Sequence, residues 1–146
     1  MTDTRVIRPE PYWLVSLAMV GGDQLVKAIS KSLETPLVVG PVSFGRSLNE
    51  AGVFGLPLGN GTLILIAVAL AVGLLVVLLA GVDRPPARLG LWLILGGAVS
   101  NLIDRVTAGG VVDVITIENL TRFNLADVMI VLGVLSLIRS LWWRWE

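Results

Sequence analysis

The sequence predicts an all-α membrane protein with four transmembrane helices and a small extracytoplasmic β-element between the first two helices. The first observation is composition: of 146 residues, 55% are hydrophobic and only 15% are charged, whereas soluble domains have about 25% charged residues. The mean hydropathy of +0.85 agrees with this. The second observation is that the apolar residues fall into four segments that use most of the chain. We therefore expect residues 1–146 to form a single integral membrane domain.

Four segments are expected to cross the membrane. The second is the clearest, because the 21 residues from Thr62 to Val82 carry no charge and are enough to cross a hydrocarbon core of about 30 Å. The other three are shorter or carry polar residues, which headgroups or a watery cavity can accept. The predicted spans are residues 12–29, 62–82, 88–105 and 124–143, and the predicted extracytoplasmic segments are residues 30–61 and 106–123.

The first span is expected to be retained and not removed as a signal peptide. Its apolar run continues into Gly21-Gly22-Asp23-Gln24, and no small-x-small cleavage site follows it.

The β-element is predicted within residues 36–61. This segment contains six glycines and three prolines, and short apolar runs occur at Leu37–Val39 and around Phe44. Such a pattern is typical of short strands joined by turns, and an irregular loop is the alternative. Residues 111–117 are also rich in β-branched residues and resemble a strand.

Aromatic and charged residues predict the orientation. Four Trp residues and the single Tyr lie near the two ends of the chain, which is typical of an aromatic belt at one membrane face. These are Tyr12, Trp13, Trp142, Trp143 and Trp145. With four spans, the connection at residues 83–88 lies on the same side of the membrane as the two ends. Lys and Arg then number six on that side and five on the other, while seven of the eleven acidic residues fall on the other side. We therefore expect cytoplasmic termini and a functional site at the extracytoplasmic face.

The chain has no His and no Cys. Their absence excludes Ser-His-Asp and Cys-His catalysis, imidazole or thiolate metal sites and disulfides. The net charge of zero leaves no basic face for nucleic acid. The chemistry that remains is a pair of carboxylates. Asp113 and Asp127 lie beside long apolar stretches, where a charge is costly, so both are candidate site residues.

Asp113 and Asp127 differ in how well a structural role would explain them. Asn124 is well placed to cap the last helix, and Asp127 would then stabilise the first turn of that helix. Asp113 has no such explanation, because Val112 and Val114 flank it and no basic residue follows within seven positions. Asp113 is therefore the residue that most needs a functional role.

Other polar residues have the spacing of a helix face. Asp23 and Lys27 are four residues apart and can pair. Asn101, Asp104 and Arg105 are spaced so that all three can point toward one cavity. The alternative to a functional role is a structural ion pair at a helix end, Asp23 with Lys27 or Asp104 with Arg105.

Five blocks of sequence contain most of these polar residues. The blocks are Asp23-Gln24-x-x-Lys27, Asn49-x-x-Gly52-x-Phe54, Gly96-Gly97-x-x-x-Asn101-x-x-Asp104-Arg105, Gly110-x-Val112-Asp113 and Phe123-Asn124-x-Ala126-Asp127. In this order and spacing they resemble the lipoprotein signal peptidase (signal peptidase II) family. The resemblance covers nearly the whole chain and includes the four-span layout. A single block would be weak, but five in register are specific.

The resemblance implies an aspartyl endopeptidase of the bacterial plasma (inner) membrane. Such an enzyme removes the signal peptide from diacylglyceryl-modified prolipoproteins, cutting just before the lipidated Cys. The resemblance implies that Asp113 and Asp127 are the catalytic pair. It implies supporting or substrate-binding roles for Asp23, Lys27, Asn49, Gly52, Asn101, Asp104, Arg105 and Asn124. The expected partners are prolipoproteins and membrane lipids, with no cofactor, no metal and no nucleic acid, and the protein is expected to be a monomer.

Four positions depart from the family pattern. Ala51 and Ser100 stand where the family usually has Gly, Val114 stands where an aromatic residue often follows the first catalytic Asp, and Val128 stands where Ser often follows the second. The first two are expected to alter how closely the backbone approaches the substrate, since Gly permits conformations that Ala and Ser resist. None removes a carboxylate, so the departures bear on efficiency and substrate range.

Two other classes of function stay open. A small channel or transporter subunit would use intramembrane Asp residues as a proton or cation path, although none lies within residues 62–82. A non-catalytic relative that binds lipoproteins would keep the fold without the activity, although this chain retains both Asp residues.

Overall fold

The computed structural model describes residues 11–51 and 58–142. The helices are α1 (Tyr12–Lys31), α2 (Asn60–Ala80), α3 (Pro85–Ala108) and α4 (Leu125–Trp142). The strands are β1 (Leu37–Val39), β2 (Val42–Asn49), β3 (Val111–Ile117) and β4 (Thr121–Phe123). The sequence predictions that concern Gly52, Phe54, Trp143 and Trp145 fall outside the described residues.

Three of the described helices, α2, α3 and α4, are long and apolar enough to cross a membrane. The expectation of a mostly helical membrane protein is therefore confirmed. Helix α1 has 20 residues but does not share this property, because Asp23, Gln24 and Lys27 lie in its interior and lower its hydropathy. The span predicted for residues 12–29 remains a prediction.

Local sequence explains where the helices begin and end. Helix α3 begins with Pro85 and Pro86, whose missing N–H groups cost nothing in a first helical turn. It ends before Gly109, which has a φ of 82°, the left-handed conformation that favours glycine after a helix. Helix α2 similarly ends before Gly81, with a φ of 95°.

The four strands form one antiparallel sheet in the order β1-β2-β3-β4. The predicted β-element in residues 36–61 is confirmed by β1 and β2. The segment between the first two helices supplies only half of the sheet. The other two strands, β3 and β4, come from the connection between α3 and α4. Strand β2 pairs with β3, so that Phe44 lies opposite Ile115 and Ser47 lies opposite Asp113. The pairing satisfies a strand edge that would otherwise be left open.

Helix α3 is the centre of the bundle and packs against α1, α2 and α4. Glycines allow its backbone to approach α4 closely: a Cβ added at Gly133 would lie 2.6 Å from Gly90 O, and one added at Gly97 would lie 2.5 Å from Ala126 O. Small residues commonly permit such approaches between membrane helices.

Helices α1 and α2 present apolar side chains outward, and the buried positions of α1 are polar. In α1 the buried residues are Ser16, Asp23, Lys27 and Ser30, whereas Leu25 is 61% exposed. Helix α2 buries no residue. This arrangement suits a protein surrounded by hydrocarbon, because lipid solvates apolar surface and polar groups must find partners inside the protein.

Replacing Gly133 with Ala is expected to destabilise the protein, although Ala favours a helix over Gly by about 1 kcal/mol. The added methyl group would meet Gly90 O at 2.6 Å and Ile94 N at 3.0 Å, and overpacking of this kind costs about 1–3 kcal/mol. Thermal unfolding in detergent would measure the change. Gly73→Ala is the matched control, because nothing lies within 4 Å of its added Cβ. Equal stability of the two variants would contradict close packing of α3 on α4.

Candidate active site

Asp113 lies in the middle of β3, where its β-branched neighbours favour an extended strand. The residue is only 2% exposed, and Val111, Val112 and Val114 are buried beside it. Its carboxyl group nevertheless lines a cavity of about 510 Å³ that opens between the sheet and the helices. Asp113 is therefore a buried acid that faces an open space.

Asp127 lies in the first turn of α4 and lines the same cavity. Asn124 Oδ1 accepts a hydrogen bond from Asp127 N at 2.9 Å, and Asn124 N donates to Asp127 Oδ2 at 3.1 Å. These reciprocal bonds are a capping box, which satisfies two backbone N–H groups at a helix start. The predicted N-cap at Asn124 is confirmed, and it fixes the Asp127 side chain as well.

Two Asn side chains connect the two acids. Asn124 Nδ2 lies 3.4 Å from Asp113 Oδ1 and 3.1 Å from Asn101 Oδ1. Asn101 Nδ2 donates to Asp127 Oδ1 at 3.0 Å. Each acid therefore accepts a hydrogen bond from an Asn amide, and the two amides contact each other.

Behind the Asn side chains lies a buried group of three charges. Lys27 Nζ lies 2.6 Å from Asp23 Oδ2 and 2.6 Å from Asp104 Oδ2, and it donates to Asn101 Oδ1 at 3.4 Å. The three donors of the ammonium group thus have three acceptors. The predicted pairing of Asp23 with Lys27 is present.

The interpretation of Asp104 and Arg105 as an ion pair is wrong, because Asp104 pairs with Lys27 instead. The expectation that Asn101, Asp104 and Arg105 face one cavity holds for Asn101 and Arg105 only. Adjacent helical residues point about 100° apart, since an α-helix has 3.6 residues per turn. Asp104 consequently faces α1 when Arg105 faces the cavity.

The two carboxylates that bind Lys27 also hold the backbone beside the two candidate acids. Asp104 Oδ2 accepts a hydrogen bond from Val112 N at 3.1 Å, and Asp23 Oδ1 accepts one from Ala126 N at 3.0 Å. Val112 directly precedes Asp113, and Ala126 directly precedes Asp127. Each outer carboxylate therefore anchors one of the segments on which an acid lies.

Arg105 and Asn49 lie on the wall of the cavity. Arg105 Nη2 donates to Ala51 O at 3.0 Å, so the position that departs from Gly contributes a backbone acceptor here. Asn49 Oδ1 accepts a hydrogen bond from Ala51 N at 3.2 Å, and Asn49 also hydrogen bonds to Asp113.

Sequence reasoning missed several residues of this region. Asn60 and Arg105 bond reciprocally, with Asn60 Nδ2 donating to Arg105 O at 3.0 Å and Arg105 Nη1 donating to Asn60 Oδ1 at 3.3 Å. Arg122 lines the cavity and donates to Ser47 Oγ at 2.7 Å. The sequence marks Ser100 only as a departure from the family pattern. The one available signal for Asn60 was its position as a polar residue just before a long apolar segment.

The remaining lining of the cavity is apolar and, apart from Val111 on β3, comes from α2, α3 and α4. These helices contribute Leu63, Ile66, Ala67, Leu70, Ala98, Leu102 and Ile130. The cavity therefore has a polar part next to the sheet and an apolar part between the helices, which is the usual composition of a ligand site.

The pKa of Asp113 is raised from its ordinary value of 3.8 to about 6, chiefly by burial and also by the nearby charge of Asp127. A hydrogen bond from Asn49 and the positive charges of Lys27 and Arg122 act in the opposite direction. Desolvation is the largest cause, because a charge that leaves water loses solvation. Asp113 can therefore hold a proton at a pH at which an ordinary carboxyl group has lost it.

Comparison with known proteins identifies relatives over most of the chain. The family model described as signal peptidase (SPase) II matches residues 15–143. The lipoprotein signal peptidase of Moorella thermoacetica is 39% identical over 137 residues, which cover 87% of this chain and 89% of that protein. The lipoprotein signal peptidase of Synechocystis is 35% identical over 136 residues, covering 87% of this chain and 84% of that protein.

Two solved structures share the fold. Both are described as bacterial membrane enzymes and were determined by the in meso method, at 2.3 Å and 1.9 Å resolution. The first has a TM-score of 0.80 and 25% identity, covering 90% of this chain and 87% of its own. The second has a TM-score of 0.78 and 25% identity, covering 90% of this chain and 92% of its own.

Replacing Lys27 with Met is expected to reduce stability by about 3–5 kcal/mol, because it leaves two buried carboxylates without their counter-charge. Unfolding by denaturant in detergent would measure the loss. Lys31→Met is the matched control, since Lys31 lies one turn further along α1 and is exposed. A similar small effect for both variants would contradict the role of Lys27 as the common partner of Asp23 and Asp104.

Asp113→Asn is expected to stabilise the protein relative to wild type as the pH rises. Below about pH 3.8 Asp113 is protonated in both the folded and the unfolded chain. Between that pH and about 6 the unfolded chain loses the proton first, so the wild type loses stability as the pH rises, and above about 6 the loss is complete. Asn mimics the protonated acid and lacks this loss.

Thermal unfolding of Asp113→Asn and wild type across this pH interval tests the raised pKa. The stability difference should grow up to about pH 6 and then stay level. Asp83→Asn, at an exposed position, serves as the control and should show no such trend. A constant difference between Asp113→Asn and wild type would contradict the raised pKa.

Proposed function

This chain belongs to the signal peptidase II family, and we propose that it is an aspartic endopeptidase that removes signal peptides from prolipoproteins. The observation that carries the aspartic mechanism is the meeting of Asp113 and Asp127 on one cavity, connected through Asn124 and Asn101. One acid comes from a strand and the other from a helix start. Their common position requires the whole bundle to be folded around them.

The proposed mechanism assigns one proton to the pair of acids. Two carboxylates close together do not both ionise readily, so the pair holds one proton between them. Asp113 is the proton donor, because burial raises its pKa. Asp127 is the base, because its two oxygens accept N–H hydrogen bonds from Asn101 and Asn124, an arrangement that suits a carboxylate.

Water would be the nucleophile. Asp127 takes a proton from the water molecule while the water oxygen attacks the scissile carbonyl carbon. Asp113 donates its proton to the carbonyl oxygen. The tetrahedral intermediate then breaks its C–N bond: Asp127 gives its proton to the leaving nitrogen, while Asp113 takes a proton from a hydroxyl group of the intermediate, which becomes the carboxylic acid product. The net reaction is hydrolysis of one peptide bond, and the pair returns to a single proton.

The two parts of the cavity support a lipid-modified substrate. The apolar part is formed by α2, α3 and α4, which are also the helices suited to cross a membrane. Acyl chains can remain against these helices while the peptide bond reaches the polar part next to the sheet. We propose that the substrate is a diacylglyceryl-modified prolipoprotein and that cleavage occurs just before the lipidated Cys.

The proposed topology has four spans, with α1 as the first. Helix α1 is better suited to this role than its hydropathy indicates. Asp23 and Lys27 are buried and paired, while Leu17 and Leu25 face outward. Charged residues within membrane helices are usually turned inward in this way. We further propose that the protein is a monomer with cytoplasmic termini and that the sheet and both acids lie at the extracytoplasmic face.

Asp113→Asn and Asp127→Asn are each expected to reduce cleavage of a diacylglyceryl-modified prolipoprotein by about 10²–10⁴-fold, because each removes one partner of acid–base catalysis. Purified protein would be incubated with the substrate, and the products would be identified by mass spectrometry. Asp83→Asn is the matched control and should cleave like the wild type. The unmodified prolipoprotein is the substrate control and should be cleaved much more slowly.

The outcomes separate the parts of the proposal. Near-normal cleavage by either Asp→Asn variant would refute the catalytic pair. Equal cleavage of the modified and unmodified substrates would refute recognition of the lipid. Binding of the modified substrate by a folded wild-type protein without cleavage would return the chain to the class of non-catalytic relatives.

A further inference from the structure

Ser100 lies at the point where α3 meets α1, and it is completely buried. Its hydroxyl group donates to Asp23 Oδ2 at 2.7 Å. Gln24 Nε2 donates to Ser100 Oγ at 2.9 Å. Ser100 is therefore a full member of the buried polar network, although its position is one where the family pattern leads us to expect Gly.

The surrounding groups fix the direction of the Ser100 hydroxyl. An amide nitrogen is only a donor, so Ser100 Oγ accepts from Gln24 and its own proton is free to bond to Asp23. Gln24 Nε2 is itself held by Ser100 O at 3.2 Å and by Asp104 Oδ1 at 3.1 Å. The hydroxyl thus has one donor and one acceptor in a buried site, and it has little freedom to reorient.

Asp23 transmits this constraint to the candidate catalytic residue on α4. Asp23 Oδ2 is shared by Lys27 Nζ and the Ser100 hydroxyl, whereas Oδ1 accepts a hydrogen bond from Ala126 N. Ala126 is the second residue of α4, and Asp127 follows it. A rotation of the Asp23 carboxylate would therefore release the helix turn that carries Asp127.

We infer that Ser100 is a positioning residue for the peptidase reaction, which acts through Asp23 on the first turn of α4. This inference rests on the proposed function. Ser100 does not line the cavity, so its effect is on the geometry of Asp127 and not on substrate binding. Small misplacements of a reacting group are costly, because the reacting atoms must be aligned within a fraction of an ångström.

Ser100→Ala tests the inference, because it removes one oxygen atom and leaves the rest of the side chain in place. The expected result is a fall in kcat of about tenfold with KM nearly unchanged. Exchange of the Ala126 amide hydrogen, followed by NMR in detergent micelles, should become faster. Exchange at Val112, whose amide is held by Asp104, should stay as in the wild type. Ser100→Cys, which restores a weak donor, should lie between Ala and wild type.

Ser16→Ala is the matched control. Ser16 is also buried between α1 and α3, and its hydroxyl donates at 2.7 Å to Trp92 O. This bond has the same length and joins the same two helices, but its acceptor is a backbone carbonyl far from the acids. Ser16→Ala should lower thermal stability without changing kcat or the exchange of the Ala126 amide.

Each outcome decides the inference. Wild-type kcat together with wild-type exchange at Ala126 in Ser100→Ala would overturn it. Equal losses of kcat in Ser100→Ala and Ser16→Ala would also overturn it, since they would indicate a general loosening of the helix pair. If the wild type cleaves no lipoprotein, the proposed function fails, and amide exchange at Ala126 and Val112 still decides whether Ser100 controls the start of α4.

Discussion

The ammonium group of Lys27 is the interaction on which the rest of this structure depends. It pairs with both Asp23 and Asp104 inside the protein, where an unpaired charge would cost several kcal/mol. Each of these carboxylates then has an oxygen that accepts a backbone N–H group, from Ala126 in one case and from Val112 in the other. The start of α4 and strand β3 are thereby both held by one charged centre, which is built from residues of α1 and α3. A buried ion pair is weak evidence for stability, but here it has a clear role in specifying geometry.

The sequence predicted those parts of the site that depend on short spacing. Asp23 and Lys27 are four residues apart on one helix, and Asn124 and Asp127 form a capping box within one turn, so local geometry determines both. Strands β1 and β2 were also predicted, because turns and short apolar runs mark them locally. The choice of Lys27 as the partner of Asp104 depends on how α1 and α3 pack. The alternative of an Asp104–Arg105 ion pair is wrong because it follows sequence distance alone, in which Arg105 is the positive charge nearest to Asp104.

Other features depend on contacts that no local pattern records. The pairing of β2 with β3 joins residues on either side of two helices, so a β-element between the first two helices was only half of the sheet. Ser100 has its carboxylate partner 77 residues away. Its position in the motif marks Ser100 as a substitution for Gly, which predicts an effect on how closely the backbone approaches the substrate. In the fold, its hydroxyl group is what matters. The four-span topology is a similar case, because the hydropathy of α1 does not reveal that its charges are paired inside.

The cavity joins a stiff region to a compliant one. Among the described elements, α2 packs chiefly on α3, buries none of its own residues, and is tied at its start by the reciprocal bonds between Asn60 and Arg105. Few contacts resist a lateral displacement of this wall, whereas the acids are hydrogen-bonded to Asn49, Asn101 and Asn124, none of which lies on α2. A displacement of α2 would therefore change the width of the cavity and leave the spacing of the two acids unchanged. In an enzyme built in this way, substrates of differing bulk would meet a single reaction geometry.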